Sequence, residues 1–85
     1  MPKVLSNEEK KHMLTKLESA MVATRFMTLK HINTSVIRNS IDFVAIEVQD
    51  PKFIETLIKQ VKFLFKYDKQ DLIRKKAEQC VKNLG

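Results

Sequence analysis

Almost nothing in the interior of this chain interrupts a helix. Of its 85 residues only one is glycine, and that glycine is the last residue. The two prolines stand at positions 2 and 51. Because glycine and proline are the residues that most often end regular structure, their scarcity predicts long helices joined by very short corners.

The clearest helix is predicted over residues 51–67. Asp50 suits the N-cap of this helix, and Pro51 suits its first position, where a missing N–H group costs nothing. The apolar residues that follow recur at spacings of three and four, while lysines fall on the opposite face. This pattern is typical of an amphipathic helix that packs one side against a core.

The rest of the chain predicts three further helices, so that the fold class is an all-α compact bundle of four helices in one domain, 1–85. The predicted helices cover residues 6–30, 34–48, 51–67 and 69–84, with residues 1–5 as a loosely held lead-in. Ser6 and Glu9 have the spacing of a capping box, and Asp68 is predicted to end the third helix and cap the fourth.

Residues 41–48 are the ambiguous segment, because they are rich in β-branched side chains and would also suit a strand. We favour a helix there, since a single strand would have no partner for pairing elsewhere in the chain.

The predicted core follows from the apolar faces of these four helices. It comprises Leu14, Leu17, Met21, Phe26, Ile37, Ile41, Val44, Ile54, Leu57, Ile58, Val61, Leu64, Ile73, Ala77, Cys80 and Val81.

Positive charge is concentrated in the second half of the chain. The formal net charge is +6, of which residues 1–50 contribute +1 and residues 51–85 contribute +5. A basic half indicates binding to nucleic acid, to an acidic protein or to an anionic membrane surface. The alternative is a lysine-rich face that is only solvated, because lysine recognises phosphates and bases less specifically than arginine does.

The sequence offers little for catalysis. It contains no glycine-rich phosphate loop, no His-Glu-x-x-His helix and no Gly-x-Ser-x-Gly elbow. We therefore expect no catalytic residue, no cofactor and no enzymatic activity.

The cysteine and histidine residues indicate the cellular compartment and whether a metal site is expected. Cys80 is the only cysteine, which excludes an intramolecular disulfide and favours the cytoplasm. His12 and His31 are predicted at opposite ends of one helix, about 28 Å apart, so that no shared metal site is expected.

No apolar run approaches the roughly 18 residues of a membrane-spanning helix.

Phe63 and Tyr67 form the most distinctive candidate site. On the helical wheel both fall away from the apolar stripe and lie among Lys59, Lys62 and Lys66. Aromatic side chains interleaved with lysines are typical of surfaces that dock a protein or stack bases. The alternative is that Phe63 lies at the edge of the core, beneath another part of the chain.

A second apolar face is predicted on the first helix. Val22, Phe26 and Leu29 lie roughly opposite its main stripe, and they would be the contact face of a homodimer.

Two sets of residues are candidates for nucleic-acid contacts. Residues 27–41 resemble part of a helix-turn-helix, with Arg38 and Asn39 placed to read bases, although no glycine occupies the turn. The other set is Arg74, Lys75 and Lys76 on the basic last helix.

These observations predict a non-enzymatic interaction protein, an adaptor, inhibitor or regulator that docks on a partner protein. The alternative is a DNA- or RNA-binding regulator that uses the basic second half or the incomplete helix-turn-helix.

Overall fold

Five α-helices make up most of the chain. A computed structural model describes residues 2–84, so that Met1 and Gly85, the two ends of the predicted domain, lie outside the described residues. The all-α prediction is confirmed, and residues 2–84 contain no β-strand beyond one isolated bridge. The helices are α1 (Asn7–Leu17), α2 (Val22–Arg38), α3 (Phe43–Gln49), α4 (Pro51–Tyr67) and α5 (Asp71–Leu84).

Helix α5 lies along both α4 and α2. Helix α1 packs on α2 and α4, and the short α3 packs on α4. No helix among residues 2–84 is both long enough and apolar enough to cross a bilayer.

Two helix starts are confirmed in atomic detail. The Ser6 hydroxyl accepts a hydrogen bond from the Glu9 N–H, and the Glu9 carboxylate accepts one from the Ser6 N–H, which completes a capping box. The Asp50 side chain accepts from the Phe53 N–H at 3.3 Å, and Pro51 opens α4. Local side-chain chemistry therefore decided where α1 and α4 begin.

The prediction of one helix over residues 6–30 is wrong, because the chain turns back at residues 18–21. The Ser19 hydroxyl accepts from the Met21 N–H at 3.1 Å, and the Ser19 carbonyl accepts from the Arg25 guanidinium at 2.8 Å. These bonds stabilise a corner where helix propensity alone favours continuation. The reversal lets α1 and α2 pack side by side, with Leu17 and Leu29 fully buried.

The predicted corner at residues 31–34 is also wrong, because these residues lie in the middle of α2. The polar side chains of this stretch form hydrogen bonds within the fold. The Ser35 hydroxyl donates to the His31 carbonyl at 2.7 Å, and the buried Asn33 amide contacts Gln79 and Asn83 on α5. Polar residues can remain inside a helix when such partners are present.

The α2–α3 corner instead lies at residues 39–42. Asn39 adopts the left-handed conformation, with φ 54°, and ends α2 in the position that glycine usually takes. The Asp42 side chain accepts from the Ala45 N–H at 2.9 Å and begins α3. The ambiguous segment is thus helical over Phe43–Gln49, and only Ile41 pairs as a strand would, in a bridge to Lys3.

One cluster of buried residues forms the core. Nine predicted core residues are buried, namely Leu17, Ile41, Ile54, Leu57, Val61, Leu64, Ile73, Ala77 and Cys80. Four more, Leu14, Phe26, Ile58 and Val81, pack at its edge.

Three predicted core residues are exposed, which corrects the prediction for Met21, Ile37 and Val44. Each was assigned to a helix whose true bounds differ, and a shifted boundary changes which face of the helix is inward. Six residues outside the predicted core are also buried, namely Leu5, Met13, Leu29, Ile32, Ile46 and Phe53.

The segment before α1 is held more firmly than predicted. The Lys3 N–H donates to the Ser40 carbonyl at 2.9 Å, and the Asp42 N–H donates to the Lys3 carbonyl at 2.8 Å. Leu5 is buried in the core. The segment thereby closes over the α2–α3 corner.

Candidate functional site

A groove lies between the α1–α2 corner and the C-terminal end of α4. We call this cavity, of about 690 Å³, the α4 groove. Ala20 and Val22 line it from the corner, and Phe63 and Tyr67 line it from α4. Its existence depends on the reversal at residues 18–21, because a continuous first helix would leave no opposing wall.

A buried ion pair lies at the base of the α4 groove. Arg25 Nε donates to Asp68 Oδ2 at 2.8 Å, and Arg25 Nη2 lies 3.3 Å from Asp68 Oδ1. The Asp68 side chain is only 4% exposed, and it also accepts from the Gln70 N–H at 2.9 Å. Together with the Arg25–Ser19 bond, this network holds the α1–α2 corner against the α4–α5 corner. It thereby orients the two walls of the groove.

Phe63 and Tyr67 form an exposed aromatic pair at the rim. Their ring centroids are 5.2 Å apart with the planes tilted by 49°, a common geometry for paired aromatic side chains. They remain 55% and 67% exposed. The alternative expectation, that Phe63 is covered by another part of the chain, does not hold within residues 2–84.

The three lysines of the predicted docking face are all exposed on α4. Lys59 lies 4.0 Å from Glu55 in a fully solvated pair. Within residues 2–84, neither Lys62 nor Lys66 has a carboxylate within 4.0 Å. The sequence therefore located the aromatic and basic residues of this face, while the opposite wall of the groove follows from the tertiary fold.

The predicted homodimer face is not a single surface. Leu29 is fully buried, so it cannot contact a second copy in the folded chain. Phe26 is half-buried beneath the Lys76 ammonium, which lies 5.8 Å from its ring centroid. Only Val22 is exposed, and it belongs to the α4 groove.

The helix-turn-helix hypothesis for residues 27–41 is wrong, because residues 27–38 form one uninterrupted part of α2. Arg38 is exposed on its last turn, and Asn39 shares a cavity with Asn83 near the end of α5. Arg74–Lys76 lie near the start of α5, roughly 12 Å from Asn83 along the helix axis. The two predicted sets of nucleic-acid contacts therefore lie near opposite ends of α5, and their role in binding stays a prediction.

The basic residues of α5 also have partners within the chain. The Arg74 guanidinium donates to the Asp68 carbonyl at 2.6 Å and to the Asp71 carboxylate at 2.8 Å. Lys75 lies 3.4 Å from Asp71, and Lys76 donates to Gln79 at 3.2 Å.

His12 and His31 are closer together than predicted. The reversal at residues 18–21 brings both side chains to one cavity of about 290 Å³, which Glu8, Glu9 and Lys16 also line. The separation expected along a single helix is therefore wrong. Over residues 2–84 no cluster of three or more histidine, cysteine or acidic side chains is arranged to hold a metal ion.

Cys80 is a core residue, as predicted. Its thiol is buried and donates to the Leu29 carbonyl at 3.1 Å. Burial raises the pKa of this thiol to about 11, so it is protonated at neutral pH and is a poor nucleophile.

Sequence reasoning missed Arg25 and its partner Asp68 as a pair. Arg25 is the only charged residue between Ala20 and Leu29. A single arginine in an apolar run usually has a buried partner, and that signal would have marked Arg25 as structurally important. No comparable signal marks Asp68 as the partner, because its position also suits a helix cap.

Comparison with protein-family models, with curated proteins and with solved structures finds no match to this chain.

Proposed function

We propose that this chain is a non-enzymatic interaction protein, an adaptor, inhibitor or regulator that docks on a partner protein through the α4 groove. The observation that carries the proposal is the exposed Phe63–Tyr67 pair at the rim of that groove. Exposed aromatic side chains beside a concave surface are typical of the centre of a protein interface. The buried Arg25–Asp68 pair keeps the groove formed before a partner arrives, which lowers the entropic cost of docking.

Three carboxyl groups with shifted pKa values are held by hydrogen bonds from basic side chains, as is common for structural groups. Hydrogen bonds from Lys3, Lys10 and Arg74 lower the pKa of the carboxyl groups of Glu9, Asp50 and Asp71, respectively. A general acid needs the opposite shift. The buried, protonated Cys80 likewise suits a structural role, and a single reduced cysteine suits the cytoplasm.

A capture experiment tests this function. The immobilised chain, a Phe63→Ser/Tyr67→Ser variant and a Val44→Ser/Val48→Ser variant are each incubated with an extract of the source cells. The two variants are matched, because each replaces two exposed apolar side chains one turn apart on a single helix. We expect a defined protein to bind the unchanged chain and the α3 variant, and to be lost from the α4 variant. Equal recovery by all three would refute the α4 groove as the docking site.

The second candidate is nucleic-acid binding through the basic second half of the chain. It is supported by Lys62, Lys66 and Lys69, none of which has a carboxylate within 4.0 Å among residues 2–84. Binding of a short DNA duplex at two salt concentrations discriminates the candidates, because contacts to phosphates weaken steeply as salt rises. The molecular mass in solution, recorded in the same experiment, shows whether the chain is a monomer or a dimer.

A further inference from the structure

The outer face of α4 is predominantly positive. Its exposed charged residues are four lysines and one glutamate, Lys52, Glu55, Lys59, Lys62 and Lys66. Lys69 follows directly and lines the α4 groove. The neighbouring Asp68 does not offset this charge at the surface, because it is buried and paired with Arg25.

The helical spacing places these lysines around the aromatic pair. Lys59 and Lys66 stand four residues before and three residues after Phe63, positions whose Cβ atoms lie about 5–6 Å away on a helix surface. A peptide held against Phe63 would therefore bring its neighbouring side chains within reach of both ammonium groups. Carboxylates at those positions would be attracted, and ammonium groups would be repelled.

The α4 groove itself suits an apolar side chain. Its volume of about 690 Å³ falls in the range of sites that enclose a ligand group. Ala20 and Val22 face Phe63 and Tyr67 across it, and the charges at its base are already paired with each other. An apolar group can therefore enter beside the Arg25–Asp68 pair without separating it, although Glu18 and Lys69, both exposed, also line the groove.

The aromatic pair suits a protein better than it suits a nucleic acid. The two rings are tilted by 49° to each other, so one flat base cannot stack on both of them, whereas an irregular apolar side chain can contact both. In addition, every exposed cation of α4 is a lysine, and none has the bidentate geometry with which arginine recognises phosphate.

From these observations, and resting on the docking function above, we propose that the partner presents an acidic segment with a bulky apolar residue. The apolar side chain enters the α4 groove against Phe63, and the carboxylates of the segment face Lys59, Lys62 and Lys66.

Selection from a random library of twelve-residue peptides tests this inference, because such a library has no charge bias. The full chain is the bait, and peptides that also bind the Phe63→Ser/Tyr67→Ser variant are discarded. We expect the remaining peptides to contain more aspartate and glutamate than lysine and arginine, together with leucine, isoleucine, phenylalanine or tryptophan.

A matched pair of charge variants measures the contribution of the lysines. Lys59→Gln/Lys62→Gln/Lys66→Gln should weaken the selected peptides about tenfold, since three solvated ion pairs each contribute modestly. Lys11→Gln/Lys16→Gln/Lys30→Gln removes the same charge from exposed positions away from the groove and should change the affinity less than about twofold.

The outcomes separate the two proposals. If peptides that depend on Phe63 and Tyr67 are neutral or basic, the acidic partner is refuted while the docking groove stands. If no recovered peptide depends on the aromatic pair, the docking function fails as well. Oligothymidine that displaces the selected peptides and loses affinity steeply with salt would refute the inference in favour of nucleic acid.

Discussion

Single polar residues decide several features of this protein, and Asp68 decides the most. Its carboxylate contacts Arg25 and the Gln70 N–H, and its carbonyl accepts from Arg74, so one residue connects α2, α4 and α5. Its position directly after an amphipathic helix predicts a helix cap. Its role as the partner of Arg25 depends on the α1–α2 and α4–α5 corners, which are far apart in the sequence.

Asp68→Ala should lower the free energy of unfolding by about 3–5 kcal/mol, because it leaves the Arg25 charge largely buried and unpaired. Urea unfolding measures the loss. Asp71→Ala is the matched control, because its carboxylate is exposed, and it should cause a much smaller loss. Equal losses for the two variants would contradict the structural importance of the Arg25–Asp68 pair.

Glu9 should make stability depend on pH in the acid range. Its hydrogen bond with Lys3 is the main reason that its pKa falls from an ordinary 4.5 to about 2. The unfolded chain therefore binds a proton at Glu9 more readily than the folded chain does. The stabilisation is fully present above pH 4.5 and is lost as the pH falls towards about 2.

A Glu9→Gln variant isolates this effect. The difference in unfolding free energy between the unchanged chain and the variant should shrink as the pH falls from 4.5 to about 2. Lys3→Gln should reduce the same pH dependence, because it removes the main cause of the shift. A difference that stays constant over this range would show that Glu9 titrates alike in both states.

Among the helices, α4 agrees best with its sequence, and α3 agrees poorly. In α4 the cap, the first proline and the apolar stripe all indicate the same helix, and its predicted bounds 51–67 are those observed. In α3 the β-branched residues provide no clear period. The inward face was chosen wrongly there, with Val44 exposed and Ile46 buried.

A pair of truncations compares these two helices. Leu57→Ala should cost about 2–5 kcal/mol, because Leu57 is fully buried and its removal leaves a cavity. Val48→Ala should change the unfolding free energy by no more than about 0.5 kcal/mol, because Val48 is 80% exposed. Thermal or urea unfolding of both variants measures the difference. Similar losses would mean that α3 presents its other face to the core.

Considered as a whole, the molecule is held together by contacts between segments that are far apart in sequence. The segment before α1 pairs with the α2–α3 corner, α1 folds back on α2, and α5 packs against both α2 and α4. An 85-residue chain has a small core, so each of these contacts contributes a large share of the net stability.

Leu5→Ala tests the contribution of the first segment. We expect it to cost about 2 kcal/mol, since Leu5 is buried in the shared core. Val4→Ala serves as the control, because the neighbouring Val4 side chain is 42% exposed. If both variants are as stable as the unchanged chain, the segment before α1 does not contribute to folding.

Local patterns were enough to predict the fold class, the bounds of α4, the capping box of α1 and the positions of Phe63 and Tyr67 on an outward face. Each of these depends on residues within one or two helical turns, where spacing and capping chemistry act directly.

The tertiary structure was needed for the reversal at residues 18–21, the continuation of α2 through residues 31–34 and the α4 groove. In the first two cases local propensity favoured the other outcome. Burial of Leu17 and Leu29, the Arg25–Asp68 pair and the contact of Asn33 with α5 outweighed it. These interactions join residues that are far apart in the chain, so no local pattern contains them.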